Sequence, residues 1–112
     1  MDDSALKNTV TRYRLTASVG QQRIRAAAIE SGNVKWSLHA LTRMNEREIF
    51  DVDVLRVLRG GFIGGEPERT PTGEWKCKMT LRVRGSREVG VVTIILKGGM
   101  LLIKTVEWED LS

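Results

Sequence analysis

The chain has 112 residues, 41% of them hydrophobic and 29% charged, with a formal net charge of +4 and a pI near 9.6. This is the composition of one small globular domain, not of a disordered or membrane-embedded chain, and the surplus of cations admits a polyanionic partner without requiring one. A single cysteine and a single histidine exclude an internal disulfide and a closed structural zinc site.

The N-terminal stretch MDDSALKNTV is acidic and lacks the apolar segment of a signal peptide, so the cytoplasm is the expected compartment. The longest apolar run, VGVVTIIL, is too short to span a bilayer, and no membrane association is expected. Residues 1–14 are polar and aperiodic and read as a disordered tail. Residues 15–33 carry an N-terminal helix, centred on 19–31, with Ser18 and Gln21 in capping-box spacing and Gly32 at its stop. The main α+β domain, 34–112, opens with VKWS as a short edge strand.

SLHALTRMNER predicts a second helix with Ser37 as N-cap. Its Leu38, Leu41 and Met44 share one side, and His39, Arg43 and Arg47 the other. A third helix follows at about 51–59, started by Asp51 and stopped by Gly60-Gly61. GGFIGGEPERTPTG reads as a long connection with a short strand at Phe62-Ile63. Strands at 75–84, 87–97 and 100–108 complete the chain, joined through Gly85-Ser86 and Gly98-Gly99 as two-residue hairpins.

Hairpins of that length fix a register. Arg84 then pairs with Arg87, and Lys97 with Met100. One face collects Trp75, Cys77, Met79, Leu81, Val92, Ile94, Leu101, Ile103 and Thr105, and must carry the helices. The other mixes Lys76, Lys78, Arg82 and Arg84 with Val89, Val91, Thr93, Lys104, Val106 and Trp108, with Lys78, Thr93 and Lys104 in one row. A contiguous surface of that kind marks a contact site.

SLHALTRMNEREI, DVDVLRVLRGG, GEWKCKM, VVTII and LLIKTVEWED together resemble the bacterial domain-of-unknown-function family 4258, over about residues 35–110. The most specific element is His39, Ala40, Arg43, Met44 and Arg47 on the second helix; where the family pattern has Gly after the second arginine, this chain has Glu48. The resemblance extends distantly to RelE/ParE-like toxins. It implies an α+β fold with helices packed on one face of a curved antiparallel sheet of three to four strands, here with an extra N-terminal helix. It also implies an RNA-binding, mRNA-cleaving toxin with a cognate antitoxin protein as partner.

Metal-free RNA cleavage needs a base, a proton donor and cations on the phosphate. The candidates are His39 as the titrating group, with Arg43, Lys78 and Lys104 completing a catalytic set; Arg47, Lys76, Arg82, Arg84 and Trp108 are candidate RNA contacts. No metal or cofactor is expected. Each residue also has a plain structural role open to it. A histidine near a helix start fixes the local turn, helical arginines pair with nearby acids, and alternating cations keep a strand soluble. The competing function is a non-catalytic protein-interaction module or a homodimer.

Overall fold

Each helix starts where a side chain can take up its free N–H groups. In the computed structural model, which describes residues 14–110, α1 spans Ala17–Ala28 and is capped by Thr16, whose hydroxyl accepts from Val19 N at 3.2 Å. The cap therefore lies two residues before the expected Ser18, and the predicted tail, apart from Arg14, lies outside the described residues. At its other end, Asn33 Nδ2 donates to Ala27 O and Arg59 Nε to Ala28 O, at 3.0 and 2.7 Å. A short 3-10 turn (Ser31–Asn33) leads into strand β1, Val34–Trp36.

Helix α2, Leu38–Arg47, is capped as expected: Ser37 Oγ accepts from Ala40 N at 3.0 Å. It ends on Glu48 in the left-handed region (φ 55°), the conformation for which glycine is the usual residue. Helix α3, Asp51–Gly60, starts with the Asp53 carboxylate accepting from Phe50 N at 2.9 Å. It stops at Gly61, where a Cβ would lie 2.7 Å from the Thr80 carbonyl oxygen. No helix among the described residues is long and apolar enough to cross a membrane.

Strands β2 (Phe62–Ile63), β3 (Glu68–Arg69), β4 (Trp75–Arg84), β5 (Arg87–Ile95) and β6 (Leu101–Trp108) join β1 in a six-stranded sheet of order β1-β6-β5-β4-β2, with β3 also on β4. The sheet is mixed, because β1 runs parallel to β6. This corrects the expected curved antiparallel sheet of three to four strands. The chain passes through the whole of α2, α3 and the other strands before β6 forms, so β1 reaches that edge by a crossover and runs parallel. The Gly-rich connection carries the expected short strand at Phe62–Ile63 and adds a second, β3, that was not expected.

The register departs from the expected one at a bulge in β4 and at a longer last hairpin, and a second bulge, in β6, restores the expected Val89–Trp108 pairing. The Gly85-Ser86 turn forms, with Gly85 at φ 57°, and Arg84 pairs with Arg87. Between Arg82 and Arg84 the register then slips by one residue, so Cys77 faces Thr93 and Lys78 faces Val92. A one-residue slip exchanges the two faces of the partner strand. A second slip on β6 leaves Lys104 as the extra residue: Val92 pairs with Thr105, but Thr93 with Ile103. At the last hairpin Leu96 N bonds Met100 O at 2.8 Å, which makes a three-residue loop instead of the predicted two.

The packed face consequently carries Cys77, Met79, Val89, Val91, Thr93, Leu101, Ile103, Val106 and Trp108, all buried. Turning Val106 and Trp108 inward in place of Thr105 and Glu107 is worth about 1.5–3 kcal/mol per large apolar side chain, and it leaves Glu107 in contact with water. The predicted row Lys78–Thr93–Lys104 does not form. Thr93 is fully buried in the core, and its hydroxyl has no hydrogen-bond partner. On α2 the inward side is Ala40 and Met44; Leu38 (81% exposed) and Leu41 (47%) face outward, against the expected apolar stripe.

Candidate nucleic-acid interface

The opposite face of the sheet is left open by the helices. Its backbone register puts Glu68, Lys76, Ile94, Leu102 and Lys35 in one row across β3, β4, β5, β6 and β1. Lys78, Val92 and Thr105 form the next row, followed by Thr80, Gly90 and Glu107. Cations and aliphatic side chains therefore do share this face, as expected, but the β5 and β6 members are different residues.

Lys78 is already neutralised. Its Nζ lies 3.0 Å from Glu107 Oε1 and 2.7 Å from Glu109 Oε2. Partial burial works against its charge, but these carboxylates outweigh that and hold its pKa above the usual lysine range. Gly90 makes room for the cluster, since a Cβ there would lie 2.8 Å from Lys78 Cε and collide with the Glu109 carboxylate.

Other predicted residues are committed to the fold. Trp108 is 9% exposed and donates Nε1–H to Arg47 O at 2.9 Å, so its ring offers no free stacking surface. Arg47 returns the contact by donating to Val106 O at 2.7 Å. Arg84 pairs with buried Asp53 at 2.5 Å and lies over the rings of Phe50 and Trp108, 4.6 and 5.8 Å from their centroids. Arg87 covers Trp108 at 4.1 Å and forms an ion pair with Asp110. Arg43 pairs with Glu46 at 2.8 Å. Arg82 is exposed, opposite Glu88 in register. Cys77 is inert: burial pushes its thiol pKa up to about 11.

Lys76 and Lys104 line the same cleft, about 470 Å³, with Ile94, Leu96 and Leu102 among its apolar walls. The β3–β4 connection forms its other side. There Glu74 Oε1 accepts from the hydroxyls of Thr70 (2.8 Å) and Thr72, and Glu74 N donates to Thr70 Oγ1 at 3.1 Å. The Thr72 and Thr70 hydroxyls hold the Glu74 carboxyl below its ordinary pKa. Lys76 has only a long contact with Glu68, 3.8 Å, and the Lys104 ammonium has no partner among the described residues. The bulge is what presents Lys104 this way, as bulges commonly do for a side chain that must leave the regular alternation.

His39 is exposed, two residues beyond Ser37, whose hydroxyl donates to Lys104 O at 3.2 Å. Helical periodicity puts Arg47, which reaches the free edge of β6, between the buried pair Ala40 and Met44 and the pair His39 and Arg43. His39 and Arg43 therefore turn away from the core, past the sheet edge. Lys104, Lys35 and Lys76 make a basic band across the sheet. Sequence reasoning missed Lys35, Glu74 and the Lys78 carboxylates. The phase change in LLIKTVEW (Leu101 and Ile103 inward, then Val106 and Trp108) signals the bulge at Lys104.

The chain matches the model of the family described as Domain of unknown function (DUF4258) over residues 36–108. The chain belongs to this family. The matched span runs from the end of β1 to the end of β6, so the DUF4258 region contains α2, the cleft floor and most of the basic band, while α1 and Lys35 precede it. No curated protein and no solved structure matches the chain.

Proposed function

We propose that the open face of the sheet binds single-stranded RNA. The observation that carries this reading is the cleft that Lys76 and Lys104 both line over an aliphatic floor, with no partner for the Lys104 ammonium among the described residues. Its volume falls within the range of sites for small groups, about 300–1,000 Å³, and suits one nucleotide of an extended strand. From Lys76 to Lys35 the row crosses three strand spacings, about 14 Å in all, which puts one cation at each end of it for two phosphates of an extended strand. Leu102, Ile94 and Leu96 supply the apolar surface for a base, in the absence of an aromatic platform.

The narrower form of this reading is a metal-independent endoribonuclease related to RelE/ParE-like toxins and held by an antitoxin protein. In that form His39 acts as the base and Lys104 stabilises the phosphate charge, while Lys78 stays neutralised by its carboxylates. A second reading, a protein-docking module, draws on the exposed Leu38, Leu41, Phe50 and Val52 around α2 and the start of α3.

Fluorescence anisotropy with a labelled single-stranded RNA nonamer tests the proposal. Wild type should bind at low salt and weaken as salt rises. The double variant Lys76→Ala/Lys104→Ala should bind at least tenfold more weakly and lose about 1.4 from the salt slope, about 0.7 per lost phosphate contact. Wild-type binding that the double variant leaves unchanged would overturn the site. No binding even at low salt would overturn the function and leave the apolar surface as the stronger candidate. Gel analysis of the same mixtures tells cleavage from binding.

A further inference from the structure

A carboxylate in a cleft built for a polyanion repels its ligand unless it meets a hydrogen-bond donor. Glu74 is such a carboxylate, lining the cleft beside Lys76 and Lys104. It is not a loosely swinging side chain: Thr70 and Thr72 both donate to Oε1, and its own N–H is tied to Thr70. Oε2 has no hydrogen-bond partner among the described residues. The same threonines keep the group ionised, so it can only accept.

Resting on the RNA-binding reading, we infer that Glu74 is a positioning and specificity residue: Oε2 accepts the ribose 2′-hydroxyl of the nucleotide whose phosphate sits on Lys76 and Lys104. Phosphates and base faces are common to RNA and DNA, and the 2′-hydroxyl is the donor that separates them. A carboxylate fixed among cations gives the cleft an acceptor for that donor and a penalty for a deoxyribose, which leaves Oε2 facing the phosphates with nothing to accept. The Thr70–Thr72–Glu74 knot sets the position of the acceptor, and the cations hold the strand against it.

The experiment compares three labelled nonamers of one base, an oligoadenylate, its deoxy form and its 2′-O-methyl form, by anisotropy at low salt. Wild-type protein should bind the ribose form about tenfold more tightly than either other form, the size expected of one hydrogen bond to a charged acceptor. Glu74→Gln should bring the ribose-to-deoxyribose ratio close to one while the deoxy oligomer binds no more weakly than before. Equal affinity of wild type for all three would overturn the inference but leave the binding surface standing. So would a Glu74→Gln variant that weakens all three alike, the mark of a purely structural turn residue. Binding of none of them would overturn the RNA reading itself. The wild-type comparison with the 2′-O-methyl oligomer does not depend on whether the variant folds.

Discussion

Lys76 and Lys78 stand two residues apart on β4, on the same face, and sequence alone cannot tell them apart. Lys78 sits between Glu107 and Glu109 over Gly90, which leaves the room for that cluster. Lys76 has one carboxylate at 3.8 Å and an open cleft beside it. The difference comes from the neighbouring strands. In the row of Lys78, β6 has passed its bulge and presents Thr105, with Glu107 one row further on and in reach of the ammonium. In the row of Lys76 it still presents Leu102. A strand of alternating cations is thus split by its neighbours into a half that stabilises the fold and a half that remains free to bind.

The largest stability difference should follow from removing each lysine. Lys78→Ala leaves Glu107 and Glu109 facing each other without a cation. The expected cost is about 1 kcal/mol, more than an exposed pair and less than a buried one because solvent reaches the cluster. Lys76→Ala should change stability by less than about 0.5 kcal/mol. Urea titrations of both variants provide the check, and equal effects would remove the distinction between the two halves. The pH dependence has a definite sign. The folded pKa of Lys78 is raised, so its contribution is fully present below the unfolded value, about 10.4, and is lost as pH rises through the folded value. The gap between wild type and Lys78→Ala should be constant from pH 7 to 9 and close only as pH rises beyond about 10.4.

Much of the architecture was legible. Ser37 caps α2, and the odd residues of β4 do face the core. Helix α3 runs from Asp51 to Gly60 as expected, although Asp53 makes its capping bond and close backbone contacts require Gly61. The phase of β5 was not. Both of its alternating sets are mostly apolar, Val89, Val91, Thr93 and Ile95 against Val92 and Ile94, so hydrophobic pattern gives no preference. The bulge near Val83 decides it, and no turn residue announces that bulge. The partners of Lys78 were hidden as well: Glu109 lies beyond the end of β6, held to β5 by its N–H donating to Glu88 O at 2.8 Å. Glu48 shows the limit from the other side. The family resemblance marks it as standing where glycine is usual, and the structure shows the left-handed φ for which glycine is favoured.

Thr93 gives the next test, of the register that separates the two lysines. Its hydroxyl is buried without a partner, which costs free energy that an apolar isostere would recover. Thr93→Val should stabilise the protein by up to about 1 kcal/mol in urea denaturation. In the register expected from the hairpins alone, Thr93 would face outward between Lys78 and Lys104, and the same change would leave stability within about 0.5 kcal/mol of wild type.

The smallest effect should come from making the two halves alike. Glu109→Gln removes the nearer of the two charges that hold Lys78, the one at 2.7 Å, and leaves Glu107 at 3.0 Å. The folded state retains one ion pair, so the loss of stability should stay below about 1 kcal/mol. Lys78 then becomes partly available to a phosphate on the open face. RNA affinity should rise by about twofold at low salt, and the salt slope should steepen by less than the roughly 0.7 of a full phosphate contact. Combining Glu109→Gln with Lys78→Ala should abolish the gain. A gain that survives loss of Lys78 would mean that Glu109 acts by general repulsion, and the division between a neutralised half and a binding half would then rest on Lys76 and Lys104 alone.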